Sequence, residues 1–259
     1  MYEFDYHKAS SVDDAAATHK KGEDARFLAG GHTLLPTMKQ RLASPSDLVD
    51  LSGVADLNGI SVGGDAVTVG AMTPHADVAG SADVQKAIPA LAALASGIGD
   101  PQVRACGTIG GSLANSDPAA DYPAAVLALG ATIVTNEREI AADDFFKGLF
   151  ETALNDGELI TAVRFPIPKK AGYAKFPNPA SRYAIVGVMC AETADGIRVG
   201  VTGAGPCAFR ASDIEAAVAS GGDIPAASAD GLNSDIHASA EYRAHLIGVM
   251  TKRAIEAAG

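Results

Sequence analysis

Tryptophan is absent from this sequence of 259 residues, aromatic side chains make up 5% of it, and cysteine occurs three times. Cys106, Cys190 and Cys207 are odd in number, far apart, and form no CxxC pair. The chain alone therefore builds neither a zinc cage nor a thiolate-held iron–sulfur cluster. A reducing cytoplasm is the expected compartment, and Cys106, next to Gly107, reads as a small buried thiol, with a reactive thiol as the alternative. Positive charge is scarce: 20 Lys and Arg stand against 31 Asp and Glu, a net charge of −11. No basic run relieves that balance, which disfavours a nucleic-acid backbone as partner. No apolar run approaches the length of a membrane span, and Met1 to Lys8 lacks the basic start and apolar core of a signal peptide. The Walker, GxSxG, HExxH and kinase patterns are missing, and the six histidines are scattered without metal-ligand spacing. With no activated nucleophile and no tuned acid–base pair, no catalytic or metal-ligating residue is assigned. A cofactor must supply any redox or bond-making chemistry.

What is present is a globular composition, 47% hydrophobic and 20% charged, in a chain long enough for one large domain or two smaller ones. Its central stretch is Thr108-Ile109-Gly110-Gly111-Ser112, followed by Asp117-Pro118 and Asp121. A doubled glycine flanked by hydroxyl residues reads as a turn whose backbone amides face an anion. Asp117-Pro118 reads as a helix start with Asp as cap, and Asp121, four residues on, as a carboxylate for hydroxyl groups. A second doubled glycine, Gly30-Gly31-His32-Thr33-Leu34, follows the short strand Arg26 to Ala29 and repeats the pattern. The alternative for both is a plain turn between packed elements. Gly203-Ala204-Gly205-Pro206-Cys207-Ala208 fits the looser dinucleotide fingerprint, but Pro206 sits within the turn and too little chain follows; a strand-to-helix turn is expected there.

The remaining pattern places a helix from Ser11, a strand at Asp47 to Leu51, and a hairpin joining Leu57–Val62 to Ala66–Gly70. Thr73 reads as a cap before Pro74. One buried helix is expected over Val84 to Leu94, then a loop over Gly99 to Arg104, then an apolar helix from Pro123 to Leu129. Strands follow at Ala131–Thr135 and Glu158–Phe165, with a helix start at Asp143. Pro166-Ile167-Pro168-Lys169-Lys170 reads as a linker. Beyond it come strands at Tyr183–Glu192 and Ile197–Thr202 and helices at Ile214–Ala219 and Glu241–Ala258, a small sheet backed by helices.

With both glycine motifs, Gly70-Ala71-Met72-Thr73 and the Glu241 to Arg253 segment in hand, nearly the whole chain resembles the FAD-binding medium subunit of molybdenum hydroxylases, the carbon monoxide dehydrogenase type in particular. The resemblance implies an α+β fold. A two-lobed FAD-binding domain of the vanillyl-alcohol oxidase kind would span residues 1–165, with lobes of about 1–55 and 56–165. A C-terminal domain with an antiparallel sheet and helices would span 169–259. It implies FAD as cofactor, held by Ala29, Gly30, Gly31, His32, Thr33 and Leu34 and by Thr108, Ile109, Gly110, Gly111 and Ser112 through backbone amides. Asp121 would bind a ribityl hydroxyl, Ile160 would pack on the nucleotide, Lys175 would lie near the isoalloxazine edge, and Tyr183 would cover a flavin face. It further implies an oxidoreductase complex with a large molybdenum-cofactor subunit and a small [2Fe-2S] subunit. FAD would pass electrons to an acceptor such as quinone, with the complex cytoplasmic or peripheral to the inner face of a membrane. A flavin-free scaffold of the same fold and a self-contained small-molecule flavin oxidase are the alternatives. The family often has Gly-Gly-Asn where this chain has Gly110-Gly111-Ser112; serine is shorter and loses the amide, so weaker retention of FAD is expected.

Overall fold

Three main sheets organise the chain, all 259 residues of which are described by the computed structural model. The first part runs β1 (Asp5–Lys8), α1 (Val12–His19), β2 (Ala25–Leu28), α2 (Leu34–Lys39) and β3 (Asp47–Asp50). Ser11 starts α1 as expected, its hydroxyl accepting from the Asp14 N–H. The strands form a parallel sheet in the order β1-β3-β2, so the last strand in sequence lies in the middle. There Leu48 and Val49 are fully buried, as a parallel central strand requires.

Two short 3-10 turns lead to β4 (Ile60–Gly63), β5 (Ala66–Gly70), α3 (His75–Gly80), α4 (Ala82–Ala87), α5 (Pro89–Ser96), α6 (Pro101–Cys106), α7 (Ile109–Asn115) and α8 (Tyr122–Ala128). They continue into β6 (Thr132–Thr135), β7 (Glu139–Ala141), α9 (Ala142–Phe145), the hairpin of β8 (Phe146–Gly148) and β9 (Glu151–Thr152), and β10 (Ile160–Pro166). The antiparallel sheet has the order β4-β5-β10-β6-β7. Several sequence expectations are corrected here. Pro89 has no N–H to donate and breaks the expected helix in two, taking the first position of α5 behind a non-helical Ile88 (φ −140°, ψ 73°). The expected loop at Gly99–Arg104 is largely α6, capped by Asp100 Oδ1 on the Val103 N–H with Pro101 in its first turn. Thr73 caps nothing; its hydroxyl bonds the N–H and carbonyl of Gly59. Asp117-Pro118 is a tight turn, with Asp117 Oδ1 accepting from Ala119 N–H at 2.8 Å, and the helix begins only at Tyr122.

The last part holds β11 (Lys170–Pro177), β12 (Ala184–Thr193), β13 (Gly196–Thr202), β14 (Phe209–Arg210), α10 (Ser212–Ser220) and α11 (Ala240–Ala258), with an antiparallel sheet in chain order. The expected linker runs straight into β11, an additional strand, and the 203–208 turn joins β13 to β14 rather than to a helix. β12 reads as a continuous apolar run because both its faces are covered. Met189 and Ala191 join the large core around α8, while Val186, Val188 and Cys190 pack with Ile247, Met250 and Ala254 of α11. Polar contacts tie this sheet to the preceding part. Arg198 donates to the Leu127 carbonyl at the end of α8 (2.9 Å) and pairs with Asp143 (2.6 Å). No helix is long and apolar enough to cross a membrane, and no group of three or more His, Cys, Asp or Glu side chains is placed to hold a metal ion. Cys106 is exposed, contrary to the buried thiol expected; Cys190 is the buried one.

Candidate functional site: a cleft between the glycine motifs

A cleft of about 1040 Å³ opens between the first two sheets and is closed at one end by residues from the third. Its volume suits a large ligand. The two glycine motifs meet on its wall because Gly30 has no side chain: a methyl there would land on the Cys106 carbonyl oxygen, and Gly107 lies just beyond. Gly31 takes a φ of +72°, a left-handed conformation that glycine adopts without strain. The amides of Gly30, Gly31, His32 and Thr33 make no hydrogen bond within the chain. Four adjacent donors at a cleft surface are an anion site in search of oxygen acceptors.

The second motif is built differently from its sequence reading. Thr108 to Ser112 is not a turn but the start of α7, with Thr108 Oγ1 accepting from the Gly111 N–H at 3.1 Å. The Ile109 amide donates to Thr73 O (3.3 Å), Gly110 to Ala71 O (2.9 Å) and Ser112 to Thr108 O (3.0 Å). All four amides from 109 to 112 are therefore engaged. What this segment offers the cleft is a close, flat wall. Gly110 lies against the Ala71 backbone, where a side chain has no room, and the Ser112 hydroxyl makes no hydrogen bond within the chain. Ile109 is buried in the core behind that wall and does not reach the cleft.

Asp121 is 4% exposed and reaches the cleft. Its Oδ1 accepts from the Tyr173 hydroxyl at 2.5 Å and is paired with Lys175 Nζ at 2.9 Å. Lys175 also donates to the carbonyls of Gly97 (2.8 Å) and Arg182 (3.0 Å), which occupies its three N–H bonds. Lys175 thus stands behind Asp121 instead of lining the cleft. Burial pushes the Asp121 carboxyl up, with Lys175 and Tyr173 pulling it back. Oδ2 has no partner within the chain and is the oxygen left for a ligand. Tyr173 carries no motif, and nothing in the sequence pointed to it.

At the same end Tyr183, 45% exposed, faces the cleft beside Arg182, whose φ is +64°. Burial of its ring and the carboxylates of Asp117 and Asp121 raise the Tyr183 phenol. Ala29, Leu34 and Ile160 complete the expected wall, joined by His75, Asp117 and Arg182, to which the sequence reading gave no ligand role. Near the opposite wall Glu158 is held by Arg138 (2.9 Å to each oxygen), the Thr135 hydroxyl and the Asn155 N–H, which together bring its carboxyl down to about 2. That group is satisfied by the protein and stiffens the wall.

A parallel lobe and an antiparallel lobe facing each other across a cleft, followed by a small sheet–helix unit, define an α+β protein of the FAD-binding, vanillyl-alcohol oxidase-like class. The chain belongs to the family of FAD-binding medium subunits of the carbon monoxide dehydrogenase and xanthine dehydrogenase type. Residues 2–168 match the family described as the FAD binding domain in molybdopterin dehydrogenase. The chain is 40% identical to the carbon monoxide dehydrogenase medium chain of Afipia carboxidovorans, over 98% of this chain and 96% of the relative. It is 38% identical to the nicotine 6-hydroxylase medium subunit of Paenarthrobacter nicotinovorans, over the same shares. Among solved structures, reconstituted CO dehydrogenase from Oligotropha carboxidovorans superposes with a TM-score of 0.89 at 37% identity, covering 99% of this chain and 98% of that one.

Proposed function

We propose that the chain is the FAD-binding, electron-transferring subunit of a molybdenum hydroxylase complex. The observation that carries the reading is the row of four unengaged amides at Gly30 to Thr33, on a cleft large enough for a dinucleotide. An anionic diphosphate needs such donors, and the chain gives them no other use. When bound, FAD supplies one- and two-electron redox chemistry that no side chain here provides. The chain's own residues would hold it. Gly30, Gly31, His32 and Thr33 donate to phosphate oxygens, Gly110, Gly111 and Ser112 form a close wall, and Asp121 offers Oδ2 to a hydroxyl. Ala29, Leu34, Ile160 and Tyr183 exclude water. Lys175 acts through Asp121. The cofactor-binding unit is residues 1–165, with lobes of about 1–55 and 56–165, and 169–259 forms the second unit.

Family membership supports the partner assignment: a large subunit bearing the molybdenum cofactor and a small subunit with [2Fe-2S] clusters, with electrons leaving to quinone or another acceptor. The relatives' names span carbon monoxide and nicotine, which supports a substrate site on a partner and not on this chain. Titration of the purified full chain with FAD, followed by flavin fluorescence, tests the reading: stoichiometric binding is expected. Co-purification with partners should show flavin and iron–sulfur absorption together. A folded chain that takes up no FAD, alone or in the complex, would overturn it in favour of a flavin-free scaffold.

A further inference from the structure

His75 lines the cleft, yet neither glycine motif nor the family resemblance gives it a role. It opens α3 directly after Pro74. Its backbone N–H donates to Gly107 O at 2.9 Å, and Pro74 bridges Thr108 in the same contact. The ring is thereby fixed against the segment that leads into the second glycine motif. The residue is 5% exposed. Nδ1 is enclosed and has no hydrogen-bond partner, and neither does the enclosed hydroxyl of Tyr122, whose ring packs tilted against His75 at 5.3 Å between centroids. Nε2 is different: it is not enclosed, it has no partner within the chain, and it lies beside Gly107. A Cβ at position 107 would fall 2.7 Å from it. Glycine keeps the space next to Nε2 clear.

These surroundings decide where the ring proton sits. An enclosed N–H with no acceptor is costlier than an enclosed lone pair, so the neutral ring carries its hydrogen on Nε2. Burial, with His32 and Arg104 nearby, brings the imidazole down to about 4, so the ring is neutral at pH 7. A neutral Nε2–H at a cleft wall is a donor awaiting an oxygen. It stands at the end of the cleft where Gly30 packs on Cys106 and Gly107, close to the free amides of the first motif. On its own side the amides of 109 to 112 are already engaged, which leaves the Thr108 amide and side-chain groups as the donors there.

We propose that His75 is a cofactor-positioning residue whose Nε2–H donates a hydrogen bond to a diphosphate oxygen of the bound dinucleotide, complementing the amides of Gly30 to Thr33. The assignment rests on the FAD reading above and extends it to a residue that reading did not use. Its acceptor is a phosphate oxygen because that end of the cleft gathers donors and no free carboxylate.

The test is FAD titration of the full-length wild type, His75→Phe and His75→Gln, together with the phosphorus NMR spectrum of each FAD complex and the melting temperature of each free chain. Phe preserves the packing against Tyr122 and removes the donor; Gln keeps a donating amide. We expect His75→Phe to bind FAD roughly tenfold more weakly, with shifted diphosphate resonances and an unchanged melting temperature, and His75→Gln to recover most of the affinity. Wild-type affinity and an unchanged phosphorus spectrum in His75→Phe would overturn the assignment. So would equal losses in both variants accompanied by a lowered melting temperature, which would make the ring a structural element alone. A wild-type chain that binds no FAD defeats the functional reading itself, and that result is read from the wild-type arm without the variants.

Discussion

Tyr173 and Asp121, 52 positions apart in the chain, meet at 2.5 Å, the phenol donating to the carboxylate oxygen that Lys175 also holds. The strand that follows the proline linker therefore fixes the orientation of a carboxylate on the cleft and leaves its other oxygen without a partner in the chain.

Tyr173→Phe removes one hydrogen bond to a charged group, an interaction of about 1.5–3 kcal/mol. We expect FAD affinity to fall about tenfold with the fold retained. Lys175→Met is more damaging, because it leaves a buried carboxylate without its cation, at a cost of about 3–5 kcal/mol. Flavin titration and urea unfolding of the two variants distinguish a loss of ligand orientation from a loss of stability.

Gly30→Ala drives a methyl into the Cys106 carbonyl, a backbone atom that cannot swing aside. The two glycine motifs must then separate, and a destabilisation of about 2–3 kcal/mol is expected. Gly111→Ala is milder, since its methyl meets no backbone atom, only the capping Thr108 hydroxyl at 2.9 Å and the Ala29 methyl at 3.4 Å. Thermal melts of the pair, with and without FAD, should rank them in that order.

The Glu158–Arg138 contact has a definite pH signature. The folded-state carboxyl lies at about 2, below its ordinary value of 4.5. A depressed acid stabilises the fold above its unfolded pKa and loses that contribution as pH falls through the window from about 4.5 to 2. Arg138 is half exposed, so solvent weakens its share of the contact; Arg138→Leu should lower stability at pH 7, and the difference from wild type should shrink below pH 4.5. Denaturant midpoints between pH 7 and pH 3 measure it.

Thiol chemistry separates the cysteines. Cys106 is exposed, whereas burial and the Glu215 carboxylate push the Cys190 thiol up to about 11. A disulfide reagent should modify Cys106 promptly in the native chain and Cys190 only after unfolding. Mass spectrometry of the modified peptides gives the order directly.

Much of this architecture was legible in the residues. The Gly30-Gly31 turn, the hairpin between β4 and β5 and the Ser11 cap are local signals, and each appears where local chemistry puts it. What escaped the sequence was set by distant partners. The amides of Ile109 and Gly110 look free in a Gly-Gly turn until Thr73 and Ala71 arrive to accept them. Tyr173 sits in Lys-Ala-Gly-Tyr-Ala-Lys-Phe, a stretch with no clean alternation, because β11 packs against α11 on one side and reaches Asp121 on the other. His75 carries no signal in its neighbourhood, and only the enclosure of Nδ1 and the bare backbone of Gly107 mark it out. Asp100-Pro101 differs: a cap and a first-turn proline stand side by side in the residues and announce the short α6 locally.

The middle position of β3 in the first sheet imposes a timetable on synthesis. β1 and β2 emerge from the ribosome with no edge to pair with, and the Gly30 turn hangs from β2, so it has no fixed geometry until Asp47–Asp50 slots between them. Its stop, the Cys106 carbonyl, emerges later still, and the strand that orients Asp121 follows the linker. Domains build from the N-terminus as they appear, and non-local pairings form slowly. The cleft is thus among the last features of this molecule to exist, and a nascent or truncated chain ending before Lys175 should have no competence to load its cofactor.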